Sequence, residues 1–175
     1  MKKKLLGTIL VGVAALSLAA CSSNSEDDVK KVDKTTATST PKKEENKQTE
    51  FKIGETASYK GYEITVNKVD YSDGDEFVKP AEGKQFVIVN ITITNNTKEE
   101  QSYNPFDYKL NANGVATSAS AYIPNVEMLN SGDLDVGATV TGNITGEVAK
   151  EGKLKLEYNG NIFSKKEKMS FILRD

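Results

Sequence analysis

The chain has 175 residues, a formal charge of −2, no His, no Trp and a single Cys. That inventory excludes Ser-His-Asp and Cys-His nucleophile systems, His-based and Cys-rich metal sites, and any internal disulfide. The length fits one domain with appendages, and the acidic balance excludes nucleic acid, which needs a concentrated basic face.

Lys2, Lys3 and Lys4 precede an apolar run from Leu5 to Ala20. As a helix those 16 residues would rise about 24 Å, short of the roughly 30 Å hydrocarbon core of a bilayer. A short apolar segment ending in small residues predicts an export signal over residues 1–20. The tetrapeptide Leu18-Ala19-Ala20-Cys21 resembles the lipobox of bacterial lipoprotein precursors. The resemblance implies that the Cys21 thiol receives diacylglycerol (a palmitate-type anchor) and that cleavage makes Cys21 the first residue. The mature protein is then expected at the extracytoplasmic face of the cell membrane. An alternative product is the leader itself: Val13 to Ala20, "VAALSLAA", resembles the peptide pheromones that some lipoprotein leaders release.

From Cys21 to Glu50 the aliphatic residues are only Val29, Val32 and Ala37. Such a segment cannot bury a core and is expected to be a disordered tether over residues 21–50. Its lysines are interleaved with Glu26, Asp27, Asp28, Glu44 and Glu45, so its field is weak and a spacer role is preferred.

From Phe51 to Asp175 the pattern becomes period-two alternation. In "GYEITV", Tyr62, Ile64 and Val66 face one way, and Glu63 and Thr65 the other. The next stretch, "DYSDGDEF", gathers Asp70, Asp73, Asp75 and Glu76, hard oxygen ligands of the kind Ca²⁺ takes. The spacing does not match an EF-hand loop, so a solvated connection is preferred over a calcium site. A paired-carboxylate glycosidase needs a cleft and one raised carboxyl, which an exposed loop does not supply. In "QFVIVNITIT", Val87, Val89, Ile91 and Ile93 face inward while Asn90, Thr92 and Thr94 face out. Phe106, Tyr108 and Leu110 predict a further short strand, and "PNVEMLNSG" holds at most one helical turn.

In "ATVTGNITGEV", Ala138, Val140, Ile144 and Val148 alternate with Thr139, Thr141, Asn143, Thr145 and Glu147. Gly142 and Gly146 fall on the inward side, which predicts a bulge or a close approach of an opposing sheet. Leu154, Leu156 and Tyr158, then Met169, Phe171 and Leu173, repeat the alternation. Strands with one wet face, separated by Gly, Asn, Asp and Pro, predict an all-β antiparallel sandwich of about seven strands over residues 51–175. Without Trp, its core draws on aliphatics and the Tyr/Phe set. Tyr103, Phe106, Tyr108 and Tyr122 are therefore expected in the core before any recognition surface. The sequons at Asn90, Asn95 and Asn143 lie behind a bacterial-type leader and predict no glycosylation.

Three stretches in order carry a family resemblance: "EGKQFVIVNITITNNTKEEQSYNPFDYKL", "LNSGDLDVGATVTGNITGEV" and "KLKLEY". Together they resemble the bacterial envelope domains grouped as domain of unknown function 4352. The resemblance covers roughly residues 55 to 160 and implies an immunoglobulin-like β-sandwich of the sort carried by Gram-positive lipoproteins. It supplies no catalytic residues and no cofactor. The reading that follows is a lipid-anchored, non-catalytic envelope module whose partner is an envelope protein or polymer, with a cell-wall-acting enzyme as the least favoured alternative.

Overall fold

The computed structural model describes residues 30–32, 50–160 and 169–175. The signal segment, the lipobox with Cys21 and most of the tether lie outside the described residues. Among the described residues there are twelve strands: β1 (Lys30–Val32), β2 (Glu50–Lys52), β3 (Thr56–Tyr59), β4 (Tyr62–Ser72), β5 (Lys84–Asn95), β6 (Gln101–Tyr103), β7 (Tyr108–Ala112), β8 (Val115–Ser118), β9 (Gly132–Leu134), β10 (Thr139–Ala149), β11 (Leu154–Tyr158) and β12 (Met169–Arg174). Alternation predicts about seven. The additional ones are three or four residues long, too short for a period of two to stand out.

One sheet has the order β1-β3-β4-β5-β10, a second the order β2-β12-β11-β7-β8, and β6 and β9 form a small ribbon. All pairs are antiparallel except β2 with β12, which is parallel. Two hairpins turn at Lys60-Gly61 and Asn113-Gly114, each with both residues at positive φ (51° and 94°; 52° and 88°). This is the type I′ geometry, whose twist matches the strands and which favours Gly at the second position.

The first sheet turns Tyr62, Ile64, Val66, Val89, Ile91 and Ile93 toward Phe51, Tyr108, Leu110, Leu154, Leu156, Met169 and Phe171 of the second. The strand faces predicted as inward on β4, β5, β11 and β12 are the buried ones. Gly146 faces the opposing sheet at close range: a Cβ there would stand 2.1 Å from Leu110 Cδ1. Gly142 is pressed instead by Leu129, at 2.9 Å from Leu129 Cα.

Three differences from expectation have physical causes. Lys30–Val32, assigned by composition to the tether, pairs with β3 and extends the first sheet. Phe106 is not in a strand but in a 3-10 turn over Pro105–Asp107, 73% exposed. Asn104 caps that turn by accepting the Phe106 N–H, and Pro105 at its start fixes φ and has no N–H to give a ladder. Within the expectation of at most one helical turn, "PNVEMLNSG" forms a turn and an isolated bridge, Met128 to Asn143. Thr145 alternates outward yet is fully buried, because residues 119–129 run beside β10. There the Thr145 hydroxyl donates to the Ala121 carbonyl at 2.5 Å, Ala121 N donates to Thr145 O, and Leu129 N donates to Asn143 O. The crossover thereby closes an edge that would otherwise expose unpaired backbone.

Candidate functional site

The acidic stretch does not gather into one site. Asp70 pairs with Lys68 on its own strand, and Asp73 with Lys150, each at 2.8 Å. Asp75 turns its carboxylate onto the Val78 and Phe77 amides, at 2.7 and 2.8 Å. Those bonds hold its carboxyl below the usual range. Glu76 stands exposed. Among the described residues no three His, Cys, Asp or Glu side chains come together as metal ligands.

The four aromatics separate. Tyr108 is core and Tyr103 packs partly against it, whereas Phe106 and Tyr122 are 73% and 71% exposed. Tyr108, Tyr158 and Tyr62 make a buried stack, with ring centroids 5.0 and 5.9 Å apart. Burial pushes the Tyr62 hydroxyl up to about 12 and Tyr108 well above its ordinary value. The nearby Asp107 carboxyl is also raised by burial. Asn95, in one of the three sequons, is fully buried and bonded through both amide atoms.

A surface the sequence did not single out lies on the outer face of the first sheet. Pairing places Thr56, Thr65, Thr92 and Thr141 in one row across β3, β4, β5 and β10. Thr94 and Thr139 are paired in a neighbouring row, and Asn90 and Asn143 in the one beyond Thr92. The β4 ladder shifts at a bulge between Val66 and Lys68, and Asn67 there reaches across to Asn90 and Thr92 at 2.8 and 2.9 Å. Further bonds link Thr56 with Thr65 (2.7 Å), Thr92 with Thr141 (2.9 Å), Asn90 with Asn143 (2.9 Å) and Thr94 with Thr139 (3.0 Å). The result is a lattice of hydroxyls and amides joined by side-chain hydrogen bonds, flanked in register by Lys68 opposite Asn90 and Glu63 opposite Thr94. A ligand meeting it would find little side-chain freedom left to lose. The outward Thr and Asn of "VNITIT" and "VTGNIT" were the available signal, but only long-range register shows that they meet.

At the opposite end of the strands, Arg174 ties β12 to the turn after β10. Its guanidinium donates to the Gly152, Lys150 and Ala149 carbonyls at 2.6, 2.9 and 2.8 Å and lies over the Tyr71 ring. Each of its three nitrogens donates to a backbone carbonyl of the fold, so this cation is a latch between the sheets.

Comparison with known proteins gives the fold and the family. A crystal structure of a "putative lipoprotein" (ycdA) of Bacillus subtilis superposes with a TM-score of 0.59 at 18% identity, covering 67% of this chain. This chain spans only 37% of that protein. The yjhA protein of the same organism superposes with a TM-score of 0.53 at 23% identity, covering 71% of this chain and 99% of its own. No curated protein is detectably similar in sequence. Residues 51–168 match the domain of unknown function DUF4352, and the chain belongs to that family.

Proposed function

We infer that the protein is a lipid-anchored module of the cell envelope, whose sandwich binds an envelope protein or polymer and catalyses nothing. The Leu18-Ala19-Ala20-Cys21 lipobox supports the anchor, with Cys21 as the lipidated residue. The observation that carries the binding role is the Asn/Thr lattice, an ordered polar face with no charge at its centre. Three of the four shifted carboxyls have a local partner that lowers them, and the fourth, Asp107, is raised by burial. Glu55 is lowered by Lys31, Glu147 by Lys84 and Asp75 by its own loop amides, so none is paired with a second acid.

Two measurements test this. Fatty-acid labelling in cells should mark the wild type and leave Cys21→Ala unlabelled, and equal labelling of both refutes Cys21 as the anchor. For binding, the soluble chain should retain envelope material that Thr92→Lys with Thr141→Lys does not retain. Unchanged retention by that well-folded variant removes the lattice as the binding face.

A further inference from the structure

We propose that β1 is a clasp that fixes how the sandwich stands on the membrane. The inference rests on Cys21 as the lipidated residue. β1 runs antiparallel to β3, with Lys30 opposite Ser58 and Val32 opposite Thr56. The Lys31 ammonium bonds the Glu55 carboxylate at 2.8 Å, and the same carboxylate accepts the Lys52 amide at 3.0 Å. The clasp is therefore held by both its backbone ladder and an ion pair, and Val32 is half-buried.

The direction of β1 decides which end of the molecule the anchor leaves from. Lys30 lies beside Ser58, next to the Lys60-Gly61 hairpin, so the chain toward Cys21 departs from that end. Only eight residues, Ser22 to Val29, then separate anchor from sheet. Eight residues reach at most about 30 Å. With β1 released, the chain from Ser22 to Thr49 reaches up to about 100 Å.

The long axis of the sandwich makes this difference matter. β5 has 12 residues, so its ends are about 40 Å apart. A docked clasp keeps the Lys60 end near the bilayer and holds the end at Glu82 beyond the spacer's full reach. The strands then stand up from the membrane, and the Asn/Thr face looks sideways into the envelope. Released, the longer spacer lets either end approach the bilayer.

Two arms test this. In the unlipidated chain from Ser22 to Asp175, amide hydrogen exchange is compared between wild type and Lys31→Pro with Val32→Pro. Prolines remove the ladder donors of β1. The β3 amides facing β1 should lose protection at least tenfold while β5 amides keep theirs. Unchanged protection of β3 overturns the clasp. In the second arm, the acylated full chain on vesicles carries a fluorophore at Lys60→Cys or at Glu82→Cys, with a headgroup quencher in the lipid. Label at position 60 should be quenched several-fold more than label at 82, and the double proline variant should bring the two together. Equal quenching in an acylated wild type overturns the standing orientation. Absence of fatty-acid label at Cys21 refutes the anchor, and the orientation with it, while the exchange arm still decides whether β1 docks.

Discussion

Replacing Asn95 with Ala should cost more than any substitution on the exposed sheet face. Asn95 is fully buried at the end of β5. Its amide nitrogen donates to the carbonyls of Glu99 and Leu134, both at 2.8 Å, and its oxygen accepts from the Thr97 amide (3.0 Å) and hydroxyl (2.7 Å). All the hydrogens and lone pairs of one side chain are thereby used. Water can replace Asn95 at the exposed Glu99 and Thr97 groups, but the Leu134 bond is buried. Stranding that carbonyl costs about 1–3 kcal/mol, and the three other bonds contribute about 0.5–1 kcal/mol each. A total of about 2.5–6 kcal/mol is a large part of a typical stability of about 5–15 kcal/mol.

Asn95→Asp sharpens the test. It keeps the shape and the acceptor for Thr97, but turns a carboxylate oxygen onto two carbonyls. That carboxyl's folded-state pKa must lie above its unfolded value near 4. Its neutral form is then favoured by folding, so the penalty is absent below about pH 4 and grows as pH rises through the folded-state pKa. Urea unfolding of the soluble chain at pH 4 and pH 7.5 measures both effects. An Ala variant within about 1 kcal/mol of wild type, or an Asp variant with no pH dependence, refutes the account of Asn95 as a buried tie.

Millimolar Ca²⁺ should not raise the melting temperature beyond an ionic-strength control, since Asp70, Asp73 and Asp75 already have separate partners. A rise of several degrees abolished by Asp73→Asn with Asp75→Asn reverses that reading. Gly146→Ala should lower stability by about 1–3 kcal/mol through overpacking, because its Cβ would meet Leu110 Cδ1 at 2.1 Å; Gly146→Ala at wild-type stability refutes the close approach. Asp107 has a folded-state pKa raised by burial, so Asp107→Asn should melt higher than wild type at neutral pH, with the gain vanishing below about pH 4. Equal melting temperatures at pH 7 count against it. Tyr62 and Tyr108 are likewise raised, so stability should fall as pH rises past about 10, with their absorbance change appearing together with unfolding.

Legibility in the sequence followed burial. β4, β5, β10, β11 and β12 present long alternations with one face in the core, and their inward residues are those read from the pattern. β1 and β2 are three residues each, held by partners 26 and 120 positions away in the registers Lys31↔Ala57 and Phe51↔Phe171, and local composition carries no trace of that. Thr145 reads outward because alternation records which side a residue takes, whereas its burial depends on a crossover from another part of the chain. Phe106 matched the period of a strand, yet the Asn104-Pro105 pair beside it was the stronger local signal. The acidic stretch was dense in sequence, but the β4 ladder and the following turn send its carboxylates to different partners.

The Asn/Thr lattice admits two explanations, and they differ in energetic scale. Cross-strand Thr pairs contribute roughly 0.2–1 kcal/mol each to a sheet, so the face has a structural value without any ligand. That value comes from pairs and would be met by any good cross-strand neighbours, including a charged pair such as Lys84 of β5 with Glu147 of β10. What pairing alone does not require is that Asn67, Asn90, Asn143, Thr92 and Thr141 interlock across three strands with no charge among them. An interlocked neutral face orders its donors and acceptors before a partner arrives, which lowers the entropy lost on binding more than it raises stability. Thr92→Lys should therefore separate the two roles, with a small change in unfolding free energy and a large loss of retained envelope material. A large loss of stability with retention intact would assign the lattice to the sheet alone.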